Sequence, residues 1–244
     1  MNYGKLWGIS VSPGDPEWMT LKGLNRFRST SVIAMPQNRK GEPGMAYRIV
    51  KQYLELHQKL VPLYLPFVVD RGILTQAWND AVSEILPFLK DGLDVAFISE
   101  GDVSFFSTFS YIAQTLNQRE PEISIEAIPG VCSPLAAAAA LKTPLSIWDE
   151  KVAILPALHN LDELENVLDW TEVLILMKVG SVFGKVWTIL EKKNLLDRSS
   201  LVEWVGWDTQ KVFENIQNLK DYQPPYFSIL IVRKTDYSFR DKKS

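Results

Sequence analysis

The chain has 244 residues, of which 46% are hydrophobic and 23% charged, and carries a formal net charge of −3. That composition excludes a disordered chain, and the acidic balance excludes a broadly basic nucleic-acid surface. No apolar run approaches the roughly 18 residues of a bilayer span, and Cys132, the single cysteine, excludes an internal disulfide.

The length suits one large domain or two of about 120 residues. The start, MNYGKLWGISVSPGDP, lacks the charged, apolar and small-residue regions of a signal peptide. With one cysteine, this fits a cytoplasmic protein. Two histidines, His57 and His159, offer little soft-ligand chemistry, so no metal site is expected.

In chain order, the first expected strand, residues 6–11, runs into Ser12-Pro13-Gly14-Asp15-Pro16. Asp15 before Pro16 is a helix start, and a helix with a basic side (Lys22, Arg26, Arg28) follows. A second strand, 31–35, enters a polar, Gly/Pro-rich loop with Arg39 and Lys40, then a helix over 46–57. A third strand, 61–67, leads to a long helix over 75–90 closed by Asp91-Gly92. The fourth, 95–98, breaks at Ser99-Glu100-Gly101-Asp102, and Phe105, Phe106, Phe109 and Tyr111 resume at helical spacing. The fifth, 124–128, ends in Pro129-Gly130 before an alanine-rich helix over 135–141. Repeated β-then-α units predict a parallel sheet covered on both faces. Past Pro144 strands dominate: 151–155, 173–178, 200–205 and 226–233, with helices over 161–168 and 182–192. Two α/β domains are expected, 1–144 with a parallel sheet and 145–244 with a mixed one.

Three glycine-bearing turns, Pro13-Gly14, Gly101-Asp102 and Pro129-Gly130, follow strands one, four and five. At one edge of an open sheet they would line a ligand slot. Neither GxGxxG nor GxxxxGK[ST] is present, nor GxSxG. Asp102 has two readings: a carboxylate at the mouth of the slot, or an N-cap bonded near Ser104 and Phe105.

SPGDPEWMTLKG, EGDVSFFSTFSY and IPGVCSPLAAAAALKTPL resemble the cobalamin-pathway tetrapyrrole methylases. VIAMPQNRKGEPGMAYRIV, AWNDAV and STFSY resemble the branch that methylates precorrin-2 at C20. MKVG and VEWVG match later family segments. The chain departs from the family at Ser10 and Ser12, where glycine is usual, and at Val103, where the usual turn reads Gly-Asp-Pro.

The resemblance implies S-adenosylmethionine as methyl donor, held in a cleft between domains. Pro13, Glu100, Gly101, Asp102, Phe105, Ser133 and Pro134 match the N-terminal cofactor turns, and Met177, Val205 and Gly206 the C-terminal ones. A sulfonium methyl is already activated, so positioning is the main task. A base then removes a proton from the attacked carbon, and Asp102 is the candidate. The substrate would be a polycarboxylate macrocycle, with Lys22, Arg39, Lys40, Arg48 and Lys178 as its basic rim. A homodimer, with no nucleic-acid or membrane partner, is also implied. Two rivals remain: a sister methylase acting on another carbon or on the cobalt complex, and a ligand-binding domain that kept the fold without catalysis.

Overall fold

In the computed structural model, residues 3–38, 41–158 and 160–235 are described. The early apolar runs form five strands, β1 (Leu6–Ser10), β2 (Val32–Gln37), β3 (Lys59–Tyr64), β4 (Val95–Ser99) and β5 (Ile125–Ile128). They pair entirely in parallel, in the order β3-β2-β4-β1-β5. Every residue of β1 and β4 is buried. A central parallel strand needs an apolar run rather than alternation, and LWGIS and VAFIS supply it up to a terminal serine in each. β3 lies at the edge, where Pro62 costs little because one side of the strand needs no partner.

Four helices connect these strands: α1 (Leu21–Ser29), α2 (Met45–Val50), α3 (Arg71–Lys90) and α4 (Phe109–Arg119). Thr20 caps α1 at Gly23 N–H, and Asp70 caps α3 at Ile73 N–H. Ile85 and Leu89 of α3 and Ile112 and Leu116 of α4 share a core with Phe97 of β4. Trp78 stacks on Tyr111 with ring centroids 4.3 Å apart, joining α3 to α4. α2 is shorter than its periodicity predicts. It gives way to a single 3-10 turn at Lys51–Tyr53, and the chain is then tied back by the Gln58 amide, which donates to Phe27 and Thr30 carbonyls.

The chain divides into two units, Met1–Cys132 and Ser133–Ser244. The change of texture in the sequence lies at Pro144, but α5 (Ser133–Ala140) groups with the second unit, where it packs against the closing strand. The second sheet holds β6 (Val152–Leu155), β7 (Val173–Met177), β8 (Ser199–Glu203), β9 (Lys211–Phe213) and β10 (Ser228–Arg233), in the order β6-β7-β10-β8-β9. Only β6 and β7 pair in parallel; the other pairs are antiparallel. The sheet is therefore mixed, as its texture implied, with β9 an additional strand. α6 (Leu161–Trp170) and α7 (Phe183–Lys192) cover one face, and Leu164, Phe183, Val186 and Leu190 meet Leu174, Leu176, Leu201 and Leu230 there. No helix among the described residues is long and apolar enough to cross a membrane.

Candidate active site

Strands β4, β1 and β5 are neighbours, so the turns at their carboxyl ends stand side by side. Gly101 N–H donates to Ser12 C=O at 2.7 Å, within an antiparallel bridge between the two residues. Gly130 N–H donates to Asp102 Oδ2, also at 2.7 Å. The three turns separated by up to 118 residues of sequence thus form one bonded surface, with Pro13 and Gly14 buried beside Ser12. Ser12 holds φ 77, a left-handed conformation that glycine adopts more readily, and its Oγ accepts Gly14 N–H at 3.2 Å.

The helix expected directly after Asp102 begins only at Phe109. Between them, Phe105 N–H closes a β-turn on Asp102 C=O at 3.2 Å, and Phe106 sits at φ 51. Asp102 therefore caps this turn rather than α4. Its Oδ1 accepts Ser104 N–H at 2.8 Å and the Ser104 hydroxyl, while Oδ2 takes Gly130. Burial, to 8% exposure, pushes the carboxyl up. The hydrogen bonds from Ser104 and Gly130 outweigh it, so its pKa lies below the ordinary 3.8.

Gly101 has φ 71, and a Cβ built there would meet nothing within 4 Å. Gly101 itself is buried, but the direction of a Cβ is empty, which suits close approach of a ligand. The residues present therefore fit a bound cofactor. Gly101→Val places a β-branched residue at positive φ and fills that space, costing about 1–2 kcal/mol in conformation. Calorimetry with S-adenosylhomocysteine should show binding abolished in a folded variant. Unchanged affinity would place the slot elsewhere.

Sequence reasoning missed Ser10, a fully buried serine at the end of β1. Its Oγ accepts Val103 N–H at 2.8 Å and donates to Ile128 C=O at 2.8 Å. The two departures at 10 and 103 are thus in contact, and the amide that a proline would lack has a partner. A polar residue closing a buried apolar strand was the available signal. Gly130 was legible as a turn but not as a donor to Asp102. A Cβ on it would lie 2.4 Å from Ser10 Cβ, so that position has no room for a side chain.

In the first unit, Glu100 and Phe105 are half-buried beside Gly101 and Asp102. Lys22 and Arg48 are exposed, on α1 and α2. Lys22 borders a surface depression of about 570 Å³ with Asn25, Arg26 and Ser29. Arg39, Lys40, His159 and the tail 236–244 lie outside the described residues.

In the second unit, Ser133 and Pro134 open α5. Met177 ends β7, and Lys178 follows at φ 56 with its Nζ 5.5 Å from the Tyr226 ring centroid. Lys178 N–H donates to Ser228 C=O, and Trp204 N–H to Phe227 C=O. The segments at 177–178 and 204–206 therefore flank the start of β10. Val205 is buried, and Gly206, at φ 81, donates its N–H to Gln210 Oε1. Among the described residues no cluster of His, Cys, Asp and Glu could hold a metal.

The family profile described as Tetrapyrrole (Corrin/Porphyrin) Methylases matches residues 5–220. The chain belongs to that family. Among the relatives of this tetrapyrrole methylase is the cobalt-precorrin-2 C(20)-methyltransferase of Salmonella typhimurium, 28% identical over 95% of this chain and 97% of that one. The "Probable cobalt-precorrin-2 C(20)-methyltransferase" of Methanocaldococcus jannaschii is 32% identical, covering 85% and 86%. The precorrin-2 C(20)-methyltransferase of Sinorhizobium sp is 27% identical, covering 94% and 95%. The crystal structure of uroporphyrin-III C-methyl transferase from Thermus thermophilus, complexed with S-adenyl homocysteine, shares the fold of this methylase. Its TM-score is 0.65 at 16% identity, over 95% of this chain and 98% of that one. The tetrapyrrole methylases use S-adenosylmethionine as methyl donor.

Proposed function

We propose that this methylase transfers a methyl group from S-adenosylmethionine to C20 of precorrin-2, giving precorrin-3A. The observation that carries the reading is the bonded surface of three turns around Gly101, whose Cβ position is empty, in a chain whose full-length relatives bear C20-methyltransferase names. The cofactor supplies an activated methyl. The chain supplies position: Pro13, Glu100, Gly101, Asp102, Phe105, Ser133 and Pro134, with Met177, Val205 and Gly206, hold the donor. Asp102 serves as base for the proton released from the methylated carbon. Oδ1 accepts two hydrogen bonds and Oδ2 one, so Oδ2 keeps a lone pair for it. Lys22, Arg39, Lys40, Arg48 and Lys178 supply the cations that would meet the substrate carboxylates.

Relatives of similar identity are named for the metal-free and the cobalt-bound substrate. The deciding experiment supplies methyl-labelled S-adenosylmethionine with precorrin-2 and, separately, its cobalt complex. Label at C20 in either product is the expected result, and the faster arm names the substrate. Label at another carbon would make this a sister methylase, and no transfer in either arm would overturn the catalytic reading. The working form we propose is a cytoplasmic homodimer, which sedimentation as a monomer at micromolar concentration would refute.

A further inference from the structure

We infer that Ser10 is the positioning residue of the active-site turns, and that serine at 10 and a non-proline residue at 103 are one coupled requirement. Ser10 belongs to β1, between β4 and β5. A hydroxyl has one proton and two lone pairs. Here the proton goes to Ile128 C=O and a lone pair takes Val103 N–H, each at 2.8 Å. One side chain on the strand between them thereby ties the turn after β4 to the end of β5.

These bonds close a ring. Val103 adjoins Asp102, Asp102 Oδ2 binds Gly130 N–H, and Gly130 lies two residues beyond Ile128, which returns to Ser10. Opening the ring at Ser10 leaves the buried Val103 N–H without its partner, since Ser10 and Val103 are at most 1% exposed. The turns after β1 and β4 then keep the Gly101–Ser12 bond, and the turn after β5 is held by the Asp102–Gly130 bond.

The exclusion of proline follows from the same distance. Val103 is the second residue of the β-turn closed by Phe105 N–H on Asp102 C=O, a position that ordinarily favours proline. A proline ring carbon bonded at about 1.5 Å from nitrogen would replace the amide hydrogen that points at Ser10 Oγ. The nitrogen-to-oxygen gap is only 2.8 Å, so both cannot be accommodated. Removing the Ser10 side chain makes the space.

The test is a double-variant cycle in the full chain, Ser10→Gly, Val103→Pro and both together. It is read by urea denaturation and by calorimetric affinity for S-adenosylhomocysteine. Ser10→Gly should weaken affinity about tenfold, the effect of orphaning the buried Val103 N–H, and Val103→Pro at least as much. The double variant should return to within about threefold of the parent, far from the additivity of independent sites. Losses that simply add would overturn the coupling, and an unchanged Ser10→Gly would overturn the positioning role. Should the proline variants not fold, Ser10→Ala decides: exchange of the Val103 amide hydrogen should accelerate about tenfold, and unchanged exchange sinks the proposal. The inference rests on the proposed cofactor site only in its affinity arm. A parent chain that fails to bind S-adenosylhomocysteine would refute that site, while denaturation and exchange still test the Ser10–Val103 coupling.

Discussion

Asp102→Asn is expected to lower both stability and methylation rate, by different routes. Each carboxylate oxygen accepts a backbone N–H, from Ser104 on Oδ1 and from Gly130 on Oδ2. Asparagine has one acceptor atom, so its amide group must face one of those donors. An ordinary N-cap tolerates that exchange, but a side chain bridging two turns does not. The cost is about 1–3 kcal/mol, that of a buried donor left unpaired. The carboxyl pKa lies below 3.8 in the folded chain. Its contribution is therefore present above the ordinary carboxylate range and disappears as pH falls through the lowered value. Asparagine does not titrate there, so the stability gap between parent and variant should narrow below about pH 4. Methylation should fall by roughly 10²–10⁴-fold at saturating donor and acceptor if Asp102 takes the proton. A rate preserved at saturation, with a raised KM for the donor, would leave Asp102 a positioning role alone.

Arg233→Ala should be among the most destabilising single changes in the second unit. Arg233, 9% exposed, ends β10 and pairs through Nη1 with both oxygens of Glu150, while Nη2 donates to the carbonyls of Pro144 and Leu145. Glu150 is itself nearly covered and accepts from Ile147 N–H and the Thr235 hydroxyl. Burial pushes the Glu150 carboxyl up, but these donors and the guanidinium hold it below its ordinary value. Removing Arg233 strands a buried carboxylate and two carbonyls, and breaking such a pair costs about 3–5 kcal/mol. Urea denaturation should show it. Glu150→Leu with Arg233→Met should recover part of the loss, because no charge is then left buried without its partner. Equal destabilisation by the double variant would place the energy in the carbonyl contacts instead.

Much of the fold was legible because its signals are local. Apolar runs such as 95–98 and 173–177 announce buried strands wherever they pair. Asp15-Pro16 and Asp91-Gly92 mark ends that depend on backbone conformation alone. The glycine-bearing turns at 14, 101 and 130 were visible for the same reason. Local signals also misled. The aromatic spacing at 105–111 is helical, yet the β-turn on Asp102 and the left-handed Phe106 delay α4 to Phe109. The periodicity over 46–57 is cut short by Gln58 bonding to the end of α1.

By itself the sequence determined the α/β class, the succession of elements, the family and the turns that carry its chemistry. These follow from side-chain patterning and backbone preference within a few residues. Only the tertiary structure decided that Ser10 meets Val103 and Ile128, that Asp102 holds Gly130, and that α5 joins the second unit. Those contacts depend on which strands lie side by side. Strand order β4-β1-β5 brings together residues up to 118 positions apart, and no local preference of either partner records the other. A buried hydroxyl must find a partner, but its identity is set by the sheet.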